Sequence, residues 1–315
     1  VYGLTSASFD NPFHDPRNKD NIVAKRGALF MINLKHEVMK RGFTVAHIKT
    51  DSIKIPNATP EIIKFVQDYG KLYGYNFEHE ATYDRMCLVN DAVYIAKYAT
   101  VEHCAELYGQ AYVDSAKDIL KDCKKHPGEW TATGTQFQVP YVFKKLFSRE
   151  DILFEDLCET KSVTTSIYID RSPEEAAIYI NNPDVVKEDS EDILLDNGHS
   201  LHYVGKVGLF CPVKENTGGG SLVRQCTDKD GNTKYNSVTG SKGYLWMESE
   251  MVQNLGKKDS IDQSYYGKMV DEAIRTISQY GDFEWFASDD PYIPDIPPWE
   301  SPDEPWQETT NFDVR

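Results

Sequence analysis

Residues 44–55 read Thr-Val-Ala-His-Ile-Lys-Thr-Asp-Ser-Ile-Lys-Ile, and they set one carboxylate, Asp51, between two β-branched runs. Val45 to Ile48 and Ile53 to Ile55 have strand composition. Lys49-Thr50-Asp51-Ser52 interrupts them with short polar side chains suited to a reversal. The stretch therefore predicts a β-hairpin with Asp51 at its tip, rigidly aimed and partly desolvated, as suits a hard divalent cation on phosphate oxygens. A turn Asp that only hydrogen-bonds its own backbone is the plainer alternative.

Working outward, the polar stretch Thr5 to Pro12 reads as a connection, and Asp15-Pro16 as the cap and first turn of a helix. Ile22, Val23, Phe30, Leu34 and Val38 recur at helical spacing until Gly42, with a basic face at Lys25, Arg26 and Lys35. Thr59-Pro60-Glu61 opens a second helix, expected to run to about Tyr73 with Gly74 near its end. Strands are expected near 75–80, 86–90 and 92–97, the last two joined at Asn90-Asp91. Helix, hairpin, helix and antiparallel strands define an α+β unit with helices on one face of a sheet.

Several short motifs in order carry a resemblance. Lys49-Thr50-Asp51-Ser52 before Ile53-Lys54-Ile55 resembles motif C of family B DNA polymerases, Asp-Thr-Asp-Ser between hydrophobic strands. Val1-Tyr2-Gly3 is similar to the tail of that family's motif B, which precedes motif C by one long helix. Phe77 to Tyr83 and Cys87 to Tyr98 are similar to its palm strands, which end in a Lys-x-Tyr or Lys-Lys-x-Tyr motif. The resemblance covers residues 1 to about 98 well and the rest loosely, and the bacteriophage members are the most alike.

The resemblance implies an antiparallel-sheet palm with helices on one face, then a thumb-like subdomain and a small β-rich C-terminal module. It implies template-directed nucleotidyl transfer to a primer 3′-hydroxyl by two Mg2+ ions. Asp51 is then catalytic and a metal ligand. Tyr2, Gly3 and Thr50 fall to the nucleotide, and Ser52, Lys97 and Tyr98 to DNA. Glu80 lies where family members often keep an acid near the metals. Lys49 replaces the first motif C Asp and cannot ligate a metal. Motif A, with the other bridging Asp, would lie on a separate N-terminal polymerase half. Primed DNA, dNTPs and that half are the expected partners, and activity is expected only with the half present. A non-catalytic DNA-binding or replication-accessory module on a palm scaffold is the alternative, favoured by Lys49 and the acidic bulk charge. An unrelated metal-dependent hydrolase should show further ligand motifs, and no HxxxH, HxH or DxD cluster stands near Asp51.

The remaining expectations are compositional. The 315 residues, 40% of them hydrophobic, allow two domains or one large one, and no apolar run approaches a membrane span. Mean hydropathy is -0.54. Six cysteines without CxxC spacing suggest a reducing, cytoplasmic setting, that of a bacterial host if the chain is viral. With no signal peptide and no initiator Met, Val1 suggests an excised or processed segment.

The net charge of -16 opposes phosphate binding in bulk. Residues 1–58, however, hold nine Lys or Arg against five Asp or Glu, a local excess of four cations. The expected segmentation is 1–125 palm portion, 126–198 thumb-like, 199–287 β-rich with a terminal helix over about Ile261 to Gln279, and 288–315 a disordered acidic, Pro-rich tail. Val101 to Lys125 reads as one charged helical segment, and Asp184 to Asp196 as an acidic loop or helix face. Gly218-Gly219-Gly220 lacks the Lys-Ser/Thr of a phosphate loop, and Asp228 to Asn232 lacks the twelfth-position Glu of a calcium loop. Both read as hairpin turns.

Overall fold

The structure is a computed structural model that describes residues 4, 7, 10–13, 17, 21–180 and 192–288. Within these, the residues up to Gly134 together with Tyr280 to Ser288 form one unit, and Thr135 to Gln279 form another. The chain is α+β, with antiparallel sheets in both units.

The first unit begins with helix α1, Ile22–Met39. Asp15 and Pro16, the expected cap, lie outside the described residues. Asn21, in the left-handed region (φ 58°), precedes the helix, whose buried face is Gly27, Met31, Leu34 and Val38. Ile22, counted in the helical repeat, is exposed. Strands β1 (His47–Lys49) and β2 (Ser52–Lys54) form a two-stranded hairpin, and helix α2 spans Pro60–Leu72. Thr59 before Pro60 starts α2 as expected, and Gly74 (φ +80°) follows its end. Alternation decides how the hairpin is held. Ile48 and Ile53 turn to one face and join Ile55, Phe65 and Phe77 around Met31, Leu34, Val38, Ile62 and Val66. Fully burying an aliphatic side chain, as at Leu34 and Val38, contributes about 1.5–3 kcal/mol.

No strand forms at 75–80. That backbone bonds elsewhere, accepting at His79 O from Leu120 N and at Glu80 O from Asp122 N. The second sheet consists of β3 (Tyr83–Leu88), β4 (Tyr94–Tyr98) and β5 (Trp130–Ala132), all antiparallel with β4 central. Asn90 accepts at Oδ1 from Ala92 and Val93 N–H, making the expected turn between β3 and β4. The expected helical segment 101–125 is divided into α3 (Val101–Tyr108) and the short helices Gln110–Asp114 and Lys121–Lys125. Their core is Ala99, Cys104, Val113, Leu120 and Cys123.

In the second unit one sheet runs in the order β10-β9-β6-β8-β11, with β7 on β8. The strands are β6 (Glu159–Arg171), β7 (Ile193–Leu194), β8 (Ser200–Val213), β9 (Ser221–Thr227), β10 (Thr233–Ser237) and β11 (Leu245–Glu248). Strand β6, read from sequence as part of a thumb-like 126–198, is thus the centre of the sheet of the 199–287 module. Helices α4 (Pro173–Ile180), α5 (Ser249–Asn254) and α6 (Gln263–Ile277) belong to the same unit, together with short helical turns between Thr135 and Leu157 and at Lys258–Ser260. Val252, Tyr265 and Tyr266 join Ile167, Ile169, Phe210, Leu222 and Trp246 in its core. The terminal helix is where the sequence placed it, with Tyr265, Ala273 and Ile277 buried and Met269 half-buried.

Asp228 accepts from Asp230 and Asn232 N–H, the expected hairpin turn between β9 and β10. Gly218-Gly219-Gly220 is not a hairpin turn, because β6 lies between the strands it connects. The buried Glu175 carboxylate accepts from the N–H groups of Asn216, Thr217 and Gly218, and a Cβ on Gly220 would strike the Asp170 carbonyl. The glycines serve a packed crossover. Among the described residues all six cysteines are free thiols, and no helix is long and apolar enough to cross a membrane. Residues 181–191, most of the expected acidic segment, and 289–315, the tail, lie outside the described residues.

Candidate functional site

The hairpin turn is tighter than the sequence reading. Lys49 pairs with Ser52, which leaves Thr50 and Asp51 alone in the loop, and both are exposed. The expected partial desolvation of Asp51 is therefore not found, because a two-residue loop projects past the cores on either side. Ser52 is half-buried and Lys49 exposed.

The polar face of the hairpin meets the second sheet. His47, 6% exposed, places Nε2 3.0 Å from the Asp91 carbonyl oxygen, at the β3–β4 turn. Its ring lies 6.4 Å from that of Tyr94, and Lys54 Nζ stands 5.2 Å over the Tyr94 ring. Burial pushes the Lys54 ammonium below the usual lysine range, and Lys49 adds to this, while Asp51 and Glu80 oppose it. Asp51, Lys49, Lys54 and Glu80 thus share one electrostatic neighbourhood. Glu80 is in turn held at 2.6 Å by Lys121, which also reaches Glu78 at 3.4 Å.

Tyr94 and Tyr98 share a face of β4, since side chains alternate along a strand. Tyr83 joins them, with ring centroids 6.3 Å from Tyr94 and 5.4 Å from Tyr98. Burial, reinforced by the neighbouring Tyr94, raises the Tyr83 phenol far above its usual range, and burial raises Tyr98 too. The Tyr83 and Tyr98 hydroxyls stay protonated at neutral pH and act as hydrogen-bonding groups.

Lys97 points the other way. It is paired in register with Arg85 and Trp130, its Nζ lies 5.8 Å over the Trp130 ring, and Trp130 packs edge-on against Phe286 at 5.3 Å. Arg85 donates to the carbonyls of Trp285, Phe286 and Ser288 on the same side. The structure therefore brings Asp51, Thr50, Ser52 and Tyr98 to one side of the sheet and puts Lys97 on the opposite side. Tyr2 and Gly3 lie outside the described residues.

Three residues of the neighbourhood were not singled out from sequence: His47, Lys54 and Tyr94. The signal for the first two was present, as His47, Lys49, Ser52 and Lys54 alternate with Ile48 and Ile53. Among the described residues no three His, Cys, Asp or Glu converge as a metal-binding group. Asp51 fits a hard cation as one ligand, for its carboxylate oxygens are exposed with room for water and phosphate oxygens. The other ligands would come from outside the described residues. No family model matches the chain, and neither a curated protein nor a solved structure matches it.

Proposed function

We propose that the chain is the C-terminal palm and thumb portion of a family B DNA polymerase, extending a primer 3′-hydroxyl on a template when joined by a half that carries the other bridging carboxylate. The supporting observation is the placement of Asp51. It is an exposed carboxylate on a two-residue turn, with one hairpin face set in the α1–α2 core and the other against Tyr94. Mg2+ would supply charge neutralisation on the triphosphate. Asp51 would hold it, and Thr50 and Ser52 flank that position for the nucleotide and the DNA. Lys54, fixed over Tyr94, adds a cation beside the carboxylate that suits a phosphate oxygen. Tyr98 offers a protonated hydroxyl on the hairpin side, so of the adjacent pair it carries the proposed primer contact there.

The test is primer extension with Mg2+ and the missing half added, comparing Asp51→Ala with the unaltered chain. Loss of extension with retained DNA binding supports the assignment, and undiminished extension refutes it. Lys49, exposed beside Asp51, favours a second reading as a DNA-binding or replication-accessory module. That reading predicts an intact pair that binds primed DNA and never extends it.

A further inference from the structure

Helix α1 is apolar on two opposite faces. Gly27, Met31, Leu34 and Val38 are buried inside, yet Ile22, Leu29, Ile32 and Met39 are 46%, 59%, 48% and 50% exposed. At 3.6 residues per turn these four fall within an arc of about 100° opposite the buried face. Lys25 and His36 lie in the same arc, and Arg26 and Lys35 flank it. A surface helix with a single partner keeps its outer face polar. Four large apolar side chains aligned on that face mark a contact surface.

The chemistry of an occupant follows from the charges. From Ile22 to Arg41 there are five cations, Lys25, Arg26, Lys35, Lys40 and Arg41, against the single acid Glu37. A second copy would oppose Lys25 and its neighbours to themselves, which electrostatic complementarity disfavours. An acidic segment with large apolar side chains is the complement. Residues 289–315 have that composition: eight acids against Arg315, with Tyr292, Ile293, Ile296, Trp299 and Trp306 interspersed. They follow Ser288, whose carbonyl accepts from Arg85 in the same unit as α1. Twenty-seven residues reach up to about 90 Å when extended. A tether of that kind holds the segment at an effective concentration of order mM.

We propose that residues 289–315 dock in cis on the outer face of α1, with Trp299 and Trp306 over the Ile22, Leu29, Ile32 and Met39 stripe and carboxylates beside Lys25 and Arg26. The proposal stands apart from the polymerase reading, since neither Asp51 nor DNA enters it.

Methyl NMR of Ile, Leu and Met residues tests it. Ending the chain at Ser288 should shift the Ile22, Leu29, Ile32 and Met39 resonances while leaving Leu34 in place. A synthetic 289–315 peptide should restore them saturably, and less well as salt rises. Lys25→Glu with Arg26→Glu should weaken the peptide by about tenfold or more. In the full-length chain, Trp299→Ala with Trp306→Ala should reproduce the shifts without any shortening. Resonances that ignore the peptide overturn the proposal. So do shifts that appear only with a doubling of sedimenting mass, or only on adding phosphatidylglycerol vesicles.

Discussion

Lys97 and Tyr98 are neighbours in sequence and opposites in space, because successive residues of a strand face opposite sides of the sheet. Lys97 over Trp130 faces the Phe283–Ala287 helix, and Tyr98 faces the hairpin side. Lys97→Ala should thus change the KM for primed DNA by less than about threefold, whereas Lys54→Ala should raise it by about tenfold, the loss of one charge-assisted phosphate contact. Steady-state extension by the complemented chain compares them directly. His79 gives a second residue-scale prediction. Burial depresses its imidazole to about 4, and its ring nitrogens meet Tyr112 Oη at 3.0 Å and Thr82 Oγ1 at 3.1 Å. The unfolded chain takes up a proton near pH 6.5 that the folded chain refuses until about pH 4. Stability should therefore be lost as pH falls through that window, by up to about 3 kcal/mol. Urea unfolding at pH 7 and pH 4.5 should show the loss, and His79→Asn should reduce it.

At the scale of the element, the hairpin is as stable as the helices beneath it. A two-stranded hairpin is marginal in isolation, and this one depends on Ile48 and Ile53 packing over Leu34 and Val38. Leu34→Ala, at a fully buried position, should cost about 3 kcal/mol and show as a lower urea midpoint. It should also reduce extension, since the support of the Asp51 turn loosens. Elements with local signals were legible in sequence. Helix α2 was readable from Thr59-Pro60 and Gly74, the β3–β4 turn from Asn90-Asp91, and the α6 face from its 3.6-residue period. Elements whose pairing is non-local were not. Strand β5 has three residues and a partner more than 30 positions upstream, so Trp130-Thr131-Ala132 fell within the expected thumb-like 126–198 rather than in the sheet of β3 and β4. Strand β6 pairs with β8 and β9 across the boundary drawn at 198, and the Gly218–Gly220 crossover looked like a hairpin for the same reason. Of the candidate site, the Asp51 turn was legible because hairpin chemistry is local. The roles of His47 and Lys54 depend on Tyr94, 40 or more positions away, and no period or turn signal reports that contact.

For the whole molecule, the balance of charge separates a basic N-terminal stretch from a net charge of -16. Binding of primed DNA should therefore weaken steeply with salt, as phosphate contacts release counterions, despite the acidic total. A filter-binding titration between 50 and 200 mM salt should show a drop of at least about tenfold. The most direct measurement is a primer-extension time course by the chain complemented with the proposed N-terminal half, Asp51→Ala against unaltered, with DNA binding recorded on the same samples. Extension should fall by at least about 10²-fold while the Kd for primed DNA stays within about threefold. Equal extension by both chains would contradict the assignment of Asp51.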